Sequence, residues 1–150
     1  MTRRDPGDAE SRSRRAFRGA VLATGLVASA AGLDTARRGM RSFPGVREAG
    51  SPAAESESHF YGGIYLGLGL TTLAVSPRAD HDAAAVRRLA ATFLIAGVAR
   101  ANAWRVAGKP HPAQQGLLAV ELVLPAVLVV WQARLRGGSM TPAKAATQPR

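Results

Sequence analysis

The side chains of this chain with the most chemical potential are Arg100 and Glu121, because each interrupts an apolar run. Between them lies Gly108-Lys109-Pro110-His111-Pro112, whose two prolines forbid a continuing helix. Arg100 stands 10.5 residues before the middle of that turn and Glu121 10.5 residues after it. In two antiparallel helices rising ~1.5 Å per residue, both lie about 15 Å from the turn, at one depth. A lone charge in the middle of a bilayer costs at least ~2.5–3.5 kcal/mol, so opposite charges at matched depth predict an intramembrane ion pair. Such a pair either fixes helix register or belongs to a binding or proton-relay site, and the spacing leaves both open.

Further polar residues share faces with this pair. At ~100° per residue, Gln114, Glu121 and Gln132 form one stripe, which predicts that this face looks inward. Pro125, four residues after Glu121, removes the backbone donor that would reach the Glu121 carbonyl. It either kinks the helix or frees an acceptor for water or a ligand group. Glu57, Tyr61, Tyr65 and Thr72 fall on one face of an earlier segment. The expected pocket therefore comprises Glu57, Tyr61, Tyr65, Gln114 and Pro125 around Arg100 and Glu121, with Glu57 and Tyr61 capping its outer end. Asn102 sits about 200° from Arg100 around the helix and does not join it. His59 and His111 fall near Glu55 and Glu57, but no i,i+4 or His-x-His spacing supports a metal site, and none is expected. The chain has no cysteine, phosphate loop or Gly-x-Ser-x-Gly elbow. No cofactor is expected, and an enzyme is the less favoured reading.

The elements that must position these residues are apolar and long. Four stretches, residues 16–33, 59–76, 88–107 and 113–133, approach the ~17–25 residues a spanning helix needs. Runs this long and non-alternating in so short a chain read as helices, not a barrel. The expected fold is all-α, a four-transmembrane-helix bundle with up-down-up-down order over residues 16–135. Disordered tails are expected at 1–15, which is basic, and at 136–150. The net charge of +10 invites a nucleic-acid reading, but the charge is segregated. Residues 1–18 hold nine charged side chains, whereas residues 58–77 hold none. Assigning the tails and the second connection to one side gives it 13 Lys and Arg against six opposite, so the termini are expected in the cytoplasm. The basic charge is then topology information, and no nucleic-acid partner is expected. Phe17, Phe60, Tyr61, Trp104 and Trp131 fall near expected helix ends, where aromatic rings settle at headgroups. Gly63 and Gly67, Gly62 and Gly69, and the ridge Thr24, Ala28 and Gly32 allow close helix approach, within the bundle or in a homo-oligomer. A rival reading takes Ser13-Arg14-Arg15-Ala16-Phe17 as a twin-arginine export signal with cleavage near Ala28-Ser29-Ala30. An uncleaved first helix is preferred, because the later spans need a fourth to bury their polar groups.

The pattern Glu55-x-Glu57-x-x-Phe60-Tyr61-Gly62, then residues 89–100 (LAATFLIAGVAR), then Gly108-Lys109-Pro110-His111-Pro112, then Glu121-Leu122-x-x-Pro125 resembles the domain-of-unknown-function family 4345. These are small bacterial four-helix integral membrane proteins. The resemblance covers residues 16–135 and is similar in plan, though by architecture alone, to DoxX-like membrane proteins. It implies inner-membrane location and importance for Arg100, Glu121 and Pro125, but no activity. Two readings lead: a non-enzymatic module binding a lipid or small amphipath in an intrabundle pocket, or a structural subunit that packs a membrane partner through its small-residue ridges.

Overall fold

The computed structural model of the chain describes residues 6–138. Among them are four α-helices and no strand: α1 (Pro6–Arg38), α2 (Pro52–Val75), α3 (Ala83–Ala107) and α4 (Pro112–Gly138). The all-helical expectation holds. Each helix is longer than its apolar stretch, because local chemistry rather than hydropathy sets the ends. Ser51 caps α2 by accepting from the Ala54 N–H, with Pro52 in the first turn. Asp82 caps α3 by accepting from Ala85 at 2.9 Å. At its other end α3 stops at Gly108, whose φ of 92° only glycine adopts freely. At the N-terminus the expected tail boundary moves: residues 6–15 continue α1, where Glu10 and Arg14 pair one turn apart at 2.7 Å. The expected C-terminal tail lies outside the described residues beyond position 138.

The helices form two hairpins. In the first, Gly25 opposes Leu73, Ser29 opposes Gly69, Gly32 opposes Leu66 and Ala36 opposes Gly62. The paired numbers keep a constant sum, as an antiparallel register without slippage requires. A Cβ on Gly32 or Gly62 would collide with the facing helix's backbone, so α1 and α2 approach as closely as their peptide groups permit. The expected ridges are thus half right. Gly62 and Gly69 form the seam with Gly32, whereas Gly63 and Gly67 look into open space. Thr24 and Ala28 border a cavity instead. The proposed cleavage site at 28–30 lies within α1, with Ser29 on that seam.

The second hairpin, α3 with α4, meets the first unevenly: α1 touches α4, while α2 barely reaches α3. The core lies at one end, called here the base, where α1 and α3 begin and α2 and α4 end. There Phe17, Val21, Val75, Ala79, Val86, Leu89, Leu128 and Leu135 are buried together. Phe17 meets Trp131 edge-on at 5.4 Å, and the Trp131 indole N–H donates to Ser13. Gln132 donates to the Ala79 carbonyl, which ties α4 to the α2–α3 connection. At the opposite end, the mouth, no such cluster closes the space between hairpins among the described residues. Among the described residues, only α1 with its 3-10 continuation (Gly7–Ser42) and α4 (Pro112–Gly137) are long and apolar enough to cross a membrane by length and composition. Glycine and hydroxyl residues dilute α2, and arginines dilute α3.

Candidate functional site

Arg100 and Glu121 meet where α3 and α4 face each other. The guanidinium Nε donates to Glu121 Oε2 at 2.8 Å and Nη2 donates to Oε1 at 3.0 Å, a bidentate pair. Gly97, one turn before Arg100, permits it: a Cβ there would sit 3.1 Å from the Glu121 Cβ. Tyr65 of α2 completes the arrangement, donating to Glu121 Oε1 at 3.3 Å and accepting from Arg100 Nη2 at 3.4 Å. Glu121 is 7% exposed and Arg100 25%, and Nη1 makes no hydrogen bond among the described residues. This arrangement is the main polar link between the hairpins away from the base.

Two cavities meet at this junction. The polar one, of about 260 Å³, opens toward the mouth. It is lined by Asp34 and Thr35 of α1, Tyr61 and Tyr65 of α2, Arg100 of α3, and Gln114 and Glu121 of α4. The second, of about 300 Å³, is lined by apolar side chains including Val27, Ala28, Phe93, Val120 and Leu124. Ala31, Tyr65, Leu117 and Glu121 border both. A compartment of mixed lining, which also includes Phe43 and Pro44, thus adjoins a more apolar one across a neutral ion pair.

Of the residues that the sequence analysis groups into a pocket, Tyr61, Tyr65 and Gln114 line this cavity, and Gln114 also donates to the Pro44 carbonyl at 3.3 Å. Glu57 and Pro125 do not line it. Glu57 is exposed, and Glu55 takes the organising position at the mouth, accepting from the N–H groups of Met40 (3.0 Å) and Gly50 (3.1 Å). Two residues along a helix are ~200° apart, so these acids cannot share a face. The Met40 N–H holds the Glu55 carboxyl below the usual carboxylate range, aided by Gly50 and opposed by burial. Gly39, with φ 57°, leaves room for that carboxylate where a Cβ would strike it. Pro125 is buried within an uninterrupted α4 and lines neither cavity. His59 contacts the Ala36 carbonyl through Nδ1 at 2.7 Å, and His111 accepts from Ala113. Among the described residues no three His, Asp or Glu side chains gather as a metal site would need.

The sequence reading missed Asp80. It is 0% exposed in the α2–α3 connection and bound by Arg18 at 2.6 and 2.9 Å, with Arg14 at 3.6 Å and His81 at 3.1 Å. Arg18 holds its carboxyl below the usual range, against the opposing effect of burial. The available signal was an acid in a connection that the charge pattern placed beside the N-terminal arginines.

A sequence profile of the family described as Domain of unknown function (DUF4345) matches residues 16–132. No curated protein and no solved structure matches the chain.

Proposed function

Since the chain belongs to the family described as Domain of unknown function (DUF4345), a name that assigns no activity, we propose its function from the geometry. It is a non-enzymatic module of a bacterial inner membrane. Its four helices span the bilayer as an up-down-up-down bundle, with the base in the cytoplasm. The cleft between the hairpins holds a lipid or small amphipath, its head in the polar compartment and its tail in the apolar one. The observation that carries this reading is the junction of the two compartments at Arg100, Glu121 and Tyr65.

Exposed side chains support spanning by α2 and α3 as well as by α1 and α4. Phe60, Ile64 and Leu70 on α2, and Leu94, Ile95 and Val98 on α3, are exposed, like Leu26 on α1 and Val123 on α4. Apolar surface on every helix suits lipid as solvent, not water. The head group is neutral by charge balance. Glu121 neutralises Arg100, and Asp34 pairs with Arg38 at 3.3 Å, so among the described residues an ionic head of either sign finds its counter-charge already paired. The unshared Arg100 Nη1 offers donors to a hydroxyl or carbonyl oxygen.

The test is thermal unfolding of the purified chain with three amphipaths sharing a decyl tail: the alcohol, the carboxylate and the trimethylammonium. Stabilisation is expected from decanol most strongly, and to be lost in Ala31→Trp, which fills the border of both compartments. No stabilisation by any of the three would overturn the reading. The alternative, a structural subunit for a membrane partner, is favoured only by Gly63 and Gly67, which face open space on α2.

A further inference from the structure

A second site lies at the base, and none of its lining residues borders the two cavities at the ion pair. Here a groove of about 760 Å³ runs between α1, the α2–α3 connection, α3 and α4. It is lined by Arg14, Asp80, His81, Arg87 and Arg136. Asp80 is held by Arg18 at 2.6 Å, with Arg14 at 3.6 Å and His81 at 3.1 Å, so it fixes the two guanidinium groups in place. Arg14 also pairs with Glu10, which is 42% exposed. Among the described residues, the four guanidinium groups of Arg14, Arg18, Arg87 and Arg136 meet two carboxylates, Glu10 and Asp80, which is a positive surplus. Arg87 and Arg136 are exposed, and among the described residues no hydrogen bond or ion pair is recorded for either.

We propose that this groove binds a phosphate group, through Arg87 and Arg136 reaching in from the two sides of a floor set by Asp80, Arg14 and His81. Guanidinium forks match phosphate oxygens in geometry and charge. The carboxylate beneath keeps Arg14 and Arg18 ordered in advance, which lowers the entropy lost on binding. The same chemistry suits the phosphodiester of an anionic inner-leaflet lipid and a soluble phosphate ester. Basic pockets between spanning helices on the cytoplasmic side are favourable places for the former. The site is independent of the amphipath cleft, and only the lipid source requires that the base lie at a membrane surface.

The experiment uses the full chain in mild detergent and reads native mass spectrometry and thermal unfolding. The probes are phosphatidylglycerol, phosphatidylethanolamine, glycerol 3-phosphate and inorganic phosphate. The test variant is Arg87→Gln/Arg136→Gln. The control, Arg47→Gln/Arg105→Gln, removes equal charge at the mouth. Retention of phosphatidylglycerol over phosphatidylethanolamine, weakened at least tenfold in the test variant and unchanged in the control, assigns the site to a lipid headgroup. Stabilisation by glycerol 3-phosphate or phosphate with the same dependence assigns it to a soluble ester. No phosphate preference in the wild type, or equal weakening in both variants, overturns the proposal.

Discussion

Glu121→Gln leaves the Arg100 guanidinium in the cleft with an amide where its counter-ion stood. Removing one partner of a buried pair costs about 3–5 kcal/mol, and a guanidinium one quarter exposed lowers this to about 2–4 kcal/mol. Arg100→Gln is expected to cost a similar amount, and the double variant about half the sum, because it strands no charge. Thermal unfolding in detergent checks this. A purely structural pair would recover amphipath binding in the double variant along with stability, whereas a binding role keeps it lost. Tyr65→Phe removes a hydroxyl shared by both partners and is expected to cost about 0.5–1.5 kcal/mol. The pairing of Arg100 with Glu121 was readable because both are measured from one turn. The sequence puts Tyr65 on one face with Glu57 and Tyr61 but does not name its partner, since a face does not state which helix opposes it. Glu55 and Glu57 suit the mouth equally by position, and only the path of residues 39–50 decides between them.

Between elements, the two glycine lines of α2 make opposite predictions. Gly32→Ala or Gly62→Ala must push α1 from α2, because backbone lies in the way, and is expected to destabilise by about 2 kcal/mol or more. Gly63→Ala and Gly67→Ala enter open space and are expected to be neutral or stabilising by up to about 1 kcal/mol. Comparable losses at both pairs would contradict the seam described here. Helix periodicity revealed both lines, but choosing the buried one needs the partner helix. The α2–α3 connection makes a pH prediction. The folded Asp80 pKa is lowered, so its contribution is present above the unfolded carboxylate pKa and is lost as pH falls through the folded value. Acid unfolding below about pH 4 should therefore be steeper in the wild type than in Asp80→Asn, which is already destabilised at neutral pH. A parallel acid dependence in the two proteins would show that Asp80 does not anchor the connection.

For the whole molecule, a packed base and an open mouth give a cleft whose depth is set by where the core stops. That asymmetry was not readable from the sequence, because apolar runs of similar length predict evenly packed helices. Topology is testable in the native background, since the chain contains no cysteine. Cysteines at Glu48 or Lys109 should react with an impermeant maleimide in intact cells, and cysteines at Arg87 or Ala133 only after permeabilisation. External labelling at Arg87 would mean that α2 and α3 do not span. The most direct test of the amphipath cleft is native mass spectrometry of wild type and Ala31→Trp, each extracted gently from its own membrane. The wild type should carry a small amphipath that Ala31→Trp, equally folded, has lost. A wild type carrying nothing, or both proteins carrying the same molecule equally, would contradict it.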